Sequence, residues 1–246
     1  MKIRTYGNNL IQLTHLGCIN CYLVREEDGF TLIDTALESC AEPIMQAARQ
    51  LGAPIVRIVL THGHDDHTGA LDKLHELLPE AEVAITARDA RFLAGDMSLD
   101  ADEPKDKLRG GWHVHKTRPS RLLHEGDHIG SLEVIATPGH TPGHAAFLDL
   151  RDRSLIAGDA FQTLGGVAVS GTFKPLFPLV AFATWCKPLC LESARKLRGL
   201  EPGRLAIGHG RVLDNPLAEM DRAIEVMAHA LDQQKGKEYV SQSGAR

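Results

Sequence analysis

The run Thr61-His62-Gly63-His64-Asp65-Asp66-His67 sets three imidazoles beside two carboxylates, directly after the hydrophobic stretch Ile55, Val56, Ile58, Val59 and Leu60. A solvated turn has no use for imidazole at that density. Histidine and carboxylate together are ligands for first-row metals, imidazole suiting zinc, iron or copper and carboxylate adding a harder donor. The apolar run before them reads as a buried strand. Whatever this chain folds into must therefore deliver a metal-binding HxHxDH loop at a strand end.

Composition narrows the setting. At 246 residues the chain is long enough for one domain with a sizeable core, and 43% hydrophobic with 24% charged residues describes an ordinary globular protein. A formal net charge of -5 gives no electrostatic footprint for nucleic acid. The amino terminus lacks the apolar core of a secretory signal, and no run approaches the roughly 18 apolar residues of a membrane span. A cytoplasmic protein with no membrane partner is expected. Five cysteines, an odd number, fit a reducing compartment. Cys18 and Cys21 form a CxxC, and Cys186 and Cys190 a CxxxC. A thiolate metal site or a redox pair is one reading; the other, favoured by their place on an apparent strand and an apparent helix, is burial as small hydrophobes.

Along the chain, strand-like runs at Asn9 to Thr14, Cys21 to Val24 and Phe30 to Asp34 form a hairpin or meander. A helix follows over Leu37 to Leu51, with Ser39 as N-cap and Gly52 as its stop. The strand Ile55 to Leu60 delivers the HxHxDH loop, and Thr68 to Leu78 shows leucines at helical spacing before Pro79. Glu82 to Thr86 reads as a strand and Arg88 to Leu93 as a short helix. Gly95 to Ser120 is a polar excursion carrying His113 and His115, which read as surface or pocket-lining residues for want of a third ligand nearby.

The second part repeats a pattern of strand followed by ligand. After Leu123 to Gly130, the strand Leu132 to Ala136 ends in Thr-Pro-Gly-His-Thr-Pro-Gly-His, where proline and glycine make a stiff loop around His140. The hairpin Ala145 to Leu150 and Ser154 to Ala157 leads to Gly158-Asp159, and a short strand Leu205 to Ile207 leads to Gly208-His209-Gly210. Between them, 160–189 is apolar and broken by glycine and proline: either a wall of the substrate pocket or a core or homodimer face. Helices are expected over Leu189 to Leu200 and Pro216 to Leu231, the latter capped by Asp214 or Asn215, and the polar tail beyond is expected to fray.

HxHxDH combined with TPGHTPGH, AGDA and GHG resembles the metallo-β-lactamase superfamily over nearly the whole chain, from the strands Asn20-Cys21-Tyr22-Leu23-Val24 and Leu32-Ile33-Asp34-Thr35 onward. The resemblance implies an α+β fold, a four-layer αββα sandwich. It would be a single domain over 1–246, built from two similar halves at about 1–122 and 123–246. By the same resemblance His62, His64 and His140 would hold one divalent metal and Asp66, His67 and His209 a second, with Asp159 bridging. The ions would be Zn2+, with Mn2+ or Fe2+ as alternatives. His144 would pack behind them. Hydroxide shared by two cations, at the roughly 3.5 to 4 Å such pairs adopt, would attack a carbonyl, with Asp66 or the neighbouring Asp65 carrying the proton.

Within the superfamily the expected activity is hydrolysis of an ester-type carbonyl in a small molecule, a lactone first; a thioester or a β-lactam is the alternative. True β-lactamases generally lack the bridging aspartate, and glyoxalase II enzymes add a C-terminal helical domain. Nucleases of this fold add basic segments, and flavin-linked diiron members substitute a glutamate in the first motif. Lactonases match in length and motifs but place a tyrosine soon after the bridging aspartate, where Ala160-Phe161-Gln162 stands here. A mono-iron persulfide dioxygenase is the reading from a different class.

Overall fold

The computed structural model describes residues 1–243, with side chains as far as Gln234. Four antiparallel strands open the chain: β1 (Lys2–Tyr6), β2 (Leu10–His15), β3 (Ile19–Arg25) and β4 (Phe30–Ile33). A 3-10 turn at Glu38–Cys40 leads into α1 (Ala41–Gln50), then come β5 (Ile55–Val59), α2 (Asp65–Thr68), α3 (Leu71–Leu77), β6 (Glu82–Thr86) and α4 (Ala87–Leu93). With β7 (Arg121–Leu123) they complete a seven-stranded sheet in sequence order, its pairs parallel from β4 onward.

The second sheet uses β8 (His128–Ile129), β9 (Leu132–Ala136), β10 (Ala145–Asp149) and β11 (Ser154–Ile156). The chain then makes a two-stranded ribbon, β12 (Phe161–Gln162) with β13 (Ala168–Val169), and the helices α5 (Leu179–Ala183) and α6 (Lys187–Gly199). It returns as β14 (Arg204–Ala206) and β15 (Leu213–Asp214) and ends in α7 (Leu217–Ser243). The order is β15-β14-β11-β10-β9-β8, with β11 and β14 parallel and the other neighbours antiparallel.

Strand alternation explains the layering. Because successive side chains point to opposite faces, Cys21 and Leu23 of β3 pack under α1 and α3. Tyr22 and Val24 pack between the sheets, against Ala145 and Phe147 of β10. On the far side, Ala146 and Leu148 meet α6 and α7. Three apolar clusters thus separate four layers, the expected αββα sandwich, with both sheets mixed. No helix among the described residues is long and apolar enough to cross a membrane.

Local differences from the sequence reading have physical causes. β1 was not anticipated: its side chains are largely exposed, so no apolar alternation marks it. The helix expected over Thr68 to Leu78 is two pieces, because Gly69 passes against the backbone of Ala36 and Glu38, and a Cβ there would lie 2.8 Å from Glu38 N and 2.9 Å from Ala36 O. Ser39 sits inside the 3-10 turn and does not cap α1, whose N-cap position is Cys40 without a side-chain bond. The helix α7 runs on to Ser243, beyond Leu231; residues 244–246, the end of the tail expected to fray, lie outside the described residues. The five cysteines are free thiols, four of them buried.

Candidate metal centre

All seven expected ligands meet at one edge of the sandwich. Strand β5 delivers His62, His64, Asp66 and His67, the last two on the single turn α2. His140 follows β9, Asp159 follows β11, and His209 follows β14. His62 Nε2 lies 3.1 Å from His64 Nδ1, which lies 3.0 Å from His140 Nε2. In the second group His209 Nε2 is 3.2 Å from Asp66 Oδ2 and 3.4 Å from His67 Nε2. Asp159 stands between: Oδ1 is 3.4 Å from His67 Nε2, and Oδ2 is 3.4 Å from His140 Nε2 and 3.2 Å from His209 Nε2. Among the described residues, the side-chain groups close enough to share a cation are drawn from these seven alone.

Hydrogen bonds on the far side of each ring fix its tautomer. His67 Nδ1 donates to Asp34 Oδ2 (2.8 Å), His64 Nε2 to the Arg109 carbonyl (2.9 Å) and His209 Nδ1 to the Cys18 carbonyl (3.2 Å). His62 Nδ1 meets Thr61 Oγ1 at 2.9 Å; that hydroxyl donates to Asp34 and so accepts from the imidazole. His140 Nδ1 meets Ser170 Oγ at 2.8 Å, Ser170 meets Thr184 Oγ1 at 2.9 Å, and Thr184 donates to the Val180 carbonyl, so this relay also accepts from the ring. The remaining nitrogen of each of the five imidazoles therefore points inward, toward the other rings and the carboxylates of Asp66 and Asp159. Asp159 Oδ1 is buried with no hydrogen-bond partner.

Lone pairs and carboxylate oxygens packed at such distances repel unless a cation or protons lie between them. Burial pushes His62 and His140 well below the usual imidazole range and His64 to about 4. Burial also lowers His67 and His209, but Asp159, with Asp66, outweighs it, holding His67 well above the ordinary value and His209 at about 9. Against burial, which raises a carboxyl, His67 and His209 keep Asp66 and Asp159 below the usual carboxylate range. The donor set, neutral imidazoles in one group and imidazoles with carboxylates in the other, fits two divalent ions.

Several residues that sequence reading did not single out build this geometry. Asp34 holds His67 and accepts from the Thr61 N–H (2.8 Å). Asp89, at the start of α4, ties the two histidine loops together by accepting from the Gly63 N–H (3.0 Å), Thr141 Oγ1 (2.7 Å) and the Gly143 N–H (2.7 Å). Asn20 and Tyr22 reach from the first sheet to the Ile207 carbonyl, at 2.9 and 2.6 Å. His144, by contrast, lies behind the centre as the sequence leads one to expect, accepting from the Asp159 N–H (3.0 Å) and donating to Thr137 (2.7 Å). Gly208 has no substitute, since a Cβ there would collide with Asp159 Oδ1 and the His67 ring.

The excursion between α4 and β7 holds no helix or strand, yet it closes one flank. Arg109 caps His64, Trp112 Nε1 donates to the same carbonyl (3.0 Å), and the indole lies edge-on to the His64 ring at 4.4 Å. His113 and His115 stand apart from the seven ligands, lining with Asp65 and Asp72 a separate cavity of about 480 Å³. On the other flank the Phe177 ring lies 5.2 Å from His209, and Phe173, Leu176, Leu179 and Phe182 nearby in the chain are exposed. The side chain of Asp66 is 38% exposed, against 4% or less for His67, Asp159 and His209, so the centre opens to solvent on its side.

The model of the metallo-beta-lactamase superfamily matches residues 17–209. The chain is 51% identical over 208 residues to the uncharacterized protein YobT of Bacillus subtilis (strain 168), covering 84% of this chain and 89% of YobT. It is 30% identical over 212 residues to the probable metallo-hydrolase YflN of the same organism, covering 78% and 80%. Among solved structures, TTHA1623 in a di-iron-bound form is similar with a TM-score of 0.63 and 26% identity, over 87% of this chain and 96% of that one.

Proposed function

The chain belongs to the metallo-β-lactamase superfamily, and from that premise we propose that it is a two-metal hydrolase of ester-type carbonyls, with lactones as its first substrate class. The observation that carries this reading is the pair of ligand triangles joined by Asp159. Bound there, two divalent ions supply Lewis acidity and a water acidic enough to act as nucleophile near neutral pH.

The protein's own groups do the rest. Asp34, Thr61, Ser170 and the Arg109 and Cys18 carbonyls keep every ring nitrogen in its donating tautomer, so no ligand must reorient. Asp66, ionised and open to solvent, is placed to take up a proton and pass it outward. The exposed apolar segment beside His209 supports an acyl or alkyl group on the substrate. A mononuclear oxygenase needs only one triangle, so the complete second one supports hydrolysis. The reading takes zinc as the ion and the cytoplasm as the compartment, the free thiols supporting a reducing one.

The test is turnover of a panel of lactones, thioesters, β-lactams and phosphodiesters by metal-loaded protein, with and without chelator. Chelator-sensitive lactone hydrolysis is expected. Turnover confined to phosphodiesters, or none at all, contradicts the reading.

A further inference from the structure

The excursion between α4 and β7 carries His113 and His115, which the centre does not use, and the fold sets them against α2 and α3. His115 is buried, and the two rings lie 5.3 Å apart between centroids. His115 Nε2 is 3.0 Å from Thr68 Oγ1, and that hydroxyl donates to the His64 carbonyl (3.1 Å). Thr68 therefore accepts from the imidazole, which leaves Nδ1 as a bare acceptor. This Nδ1 is buried with no hydrogen-bond partner and stands 3.7 Å from Asp72 Oδ1, an acceptor that takes the Thr117 N–H (2.8 Å). Asp65 Oδ1, on α2, is another buried acceptor without a partner.

His113, His115, Asp65 and Asp72 line one cavity of about 480 Å³. Its charged walls are acidic on balance, with Glu38, Asp65, Asp72 and Glu76 against Lys73 and Lys116, and Lys73 is paired with Glu76 at 3.0 Å. Acceptors that face one another without a donor are unfavourable in an interior, and a cation satisfies them together. Two ligands each about 2.1 Å from a tetrahedral ion lie about 3.4 Å apart, close to the spacing of His115 Nδ1 and Asp72 Oδ1. Imidazole with carboxylate suits zinc and its neighbours rather than calcium or magnesium. Asp72 is the third ligand that the sequence around His113 and His115 lacks.

We propose that His115, Asp72, His113 and Asp65 form a further site for a zinc-class divalent cation, separate from the centre joined by Asp159. His115 and Asp72 are in place; His113, which is exposed, and Asp65 turn in to complete the shell. Because the ion assembles half of its own ligands, it binds more weakly here than at the centre. An ion at this site ties the excursion to α2 and α3, the same excursion that brings Arg109 and Trp112 to His64. The site does not depend on the hydrolase reading.

The experiment titrates Zn2+ into the full chain after its centre has been filled and loosely held metal removed by desalting, with calorimetry and imidazole 15N spectra as readouts. Wild type is expected to take up one further ion, with the Nδ1 signal of His115 moving as it does so. His113→Ala, at an exposed position, and Asp72→Asn are each expected to bind that ion about tenfold more weakly or worse, while the metal content of the desalted protein stays the same. Wild type that takes up no further ion, or both variants binding it as tightly as wild type, overturns the proposal. A further ion that leaves the His115 signal unmoved overturns it as well.

Discussion

With Asp34 accepting from Nδ1, His67 can offer only Nε2 to a cation, and the carboxylate also strengthens that nitrogen as a donor. Replacing Asp34 with asparagine leaves the size of the side chain but removes the charge. Asp34→Asn is expected to lower the affinity for one of two ions by about 10- to 100-fold while the other stays bound, as a competitive chelator titration measures. Unchanged affinity for both contradicts that role. The seven candidate ligands were legible because each sits in a short motif after an apolar run. Asp34 ends a strand in the same way but stands alone, 28 positions before His62. Asp89 and Tyr22 were illegible for a related reason: their partners lie 54 and 185 residues away, and only the folded chain brings them together.

At the scale of elements, alternation and turn chemistry located the central strands well. β6 and β9 fall at the expected residues, because both are apolar runs bounded by turns. The ribbon β12–β13 and the 3-10 turn at Glu38–Cys40 were not legible, since two- and three-residue elements have no period to read. The segment 160–189 reads as pocket wall or interface, and within it Phe177 lies against His209 while Phe173, Leu176, Leu179 and Phe182 are exposed. If it seats an acyl group, Phe177→Ala raises KM for long-chain substrates more than for short ones with kcat little changed. Steady-state kinetics over a chain-length series measures this, and equal effects at all lengths point to a structural or dimer role instead.

For the whole molecule, the centre staples the sandwich. The first sheet provides His62, His64, Asp66 and His67, the second provides His140, Asp159 and His209, and Asn20, Tyr22 and Asp89 tie the two sets of loops. Metal binding is therefore coupled to stability and to protons. In metal-free protein His67 and His209 are raised above the unfolded value of about 6.5. Their contribution is complete below that pH and is lost as pH rises through about 9, the His209 value. The depressed Asp66 and Asp159 contribute above about pH 4 and lose it on further acidification. Chelated protein is thus expected to show a melting temperature that falls between about pH 6.5 and 9, a fall that metal, by replacing those protons, removes. Parallel melting profiles with and without chelator contradict this coupling.

The central claim is that Asp159 joins two ions into one centre. Metal analysis of purified wild type and Asp159→Ala by plasma mass spectrometry tests it most directly. Two divalent ions per wild-type chain and at most one tightly bound in the variant, with hydrolysis lost, is the predicted result. Two ions retained by Asp159→Ala with normal activity contradicts it.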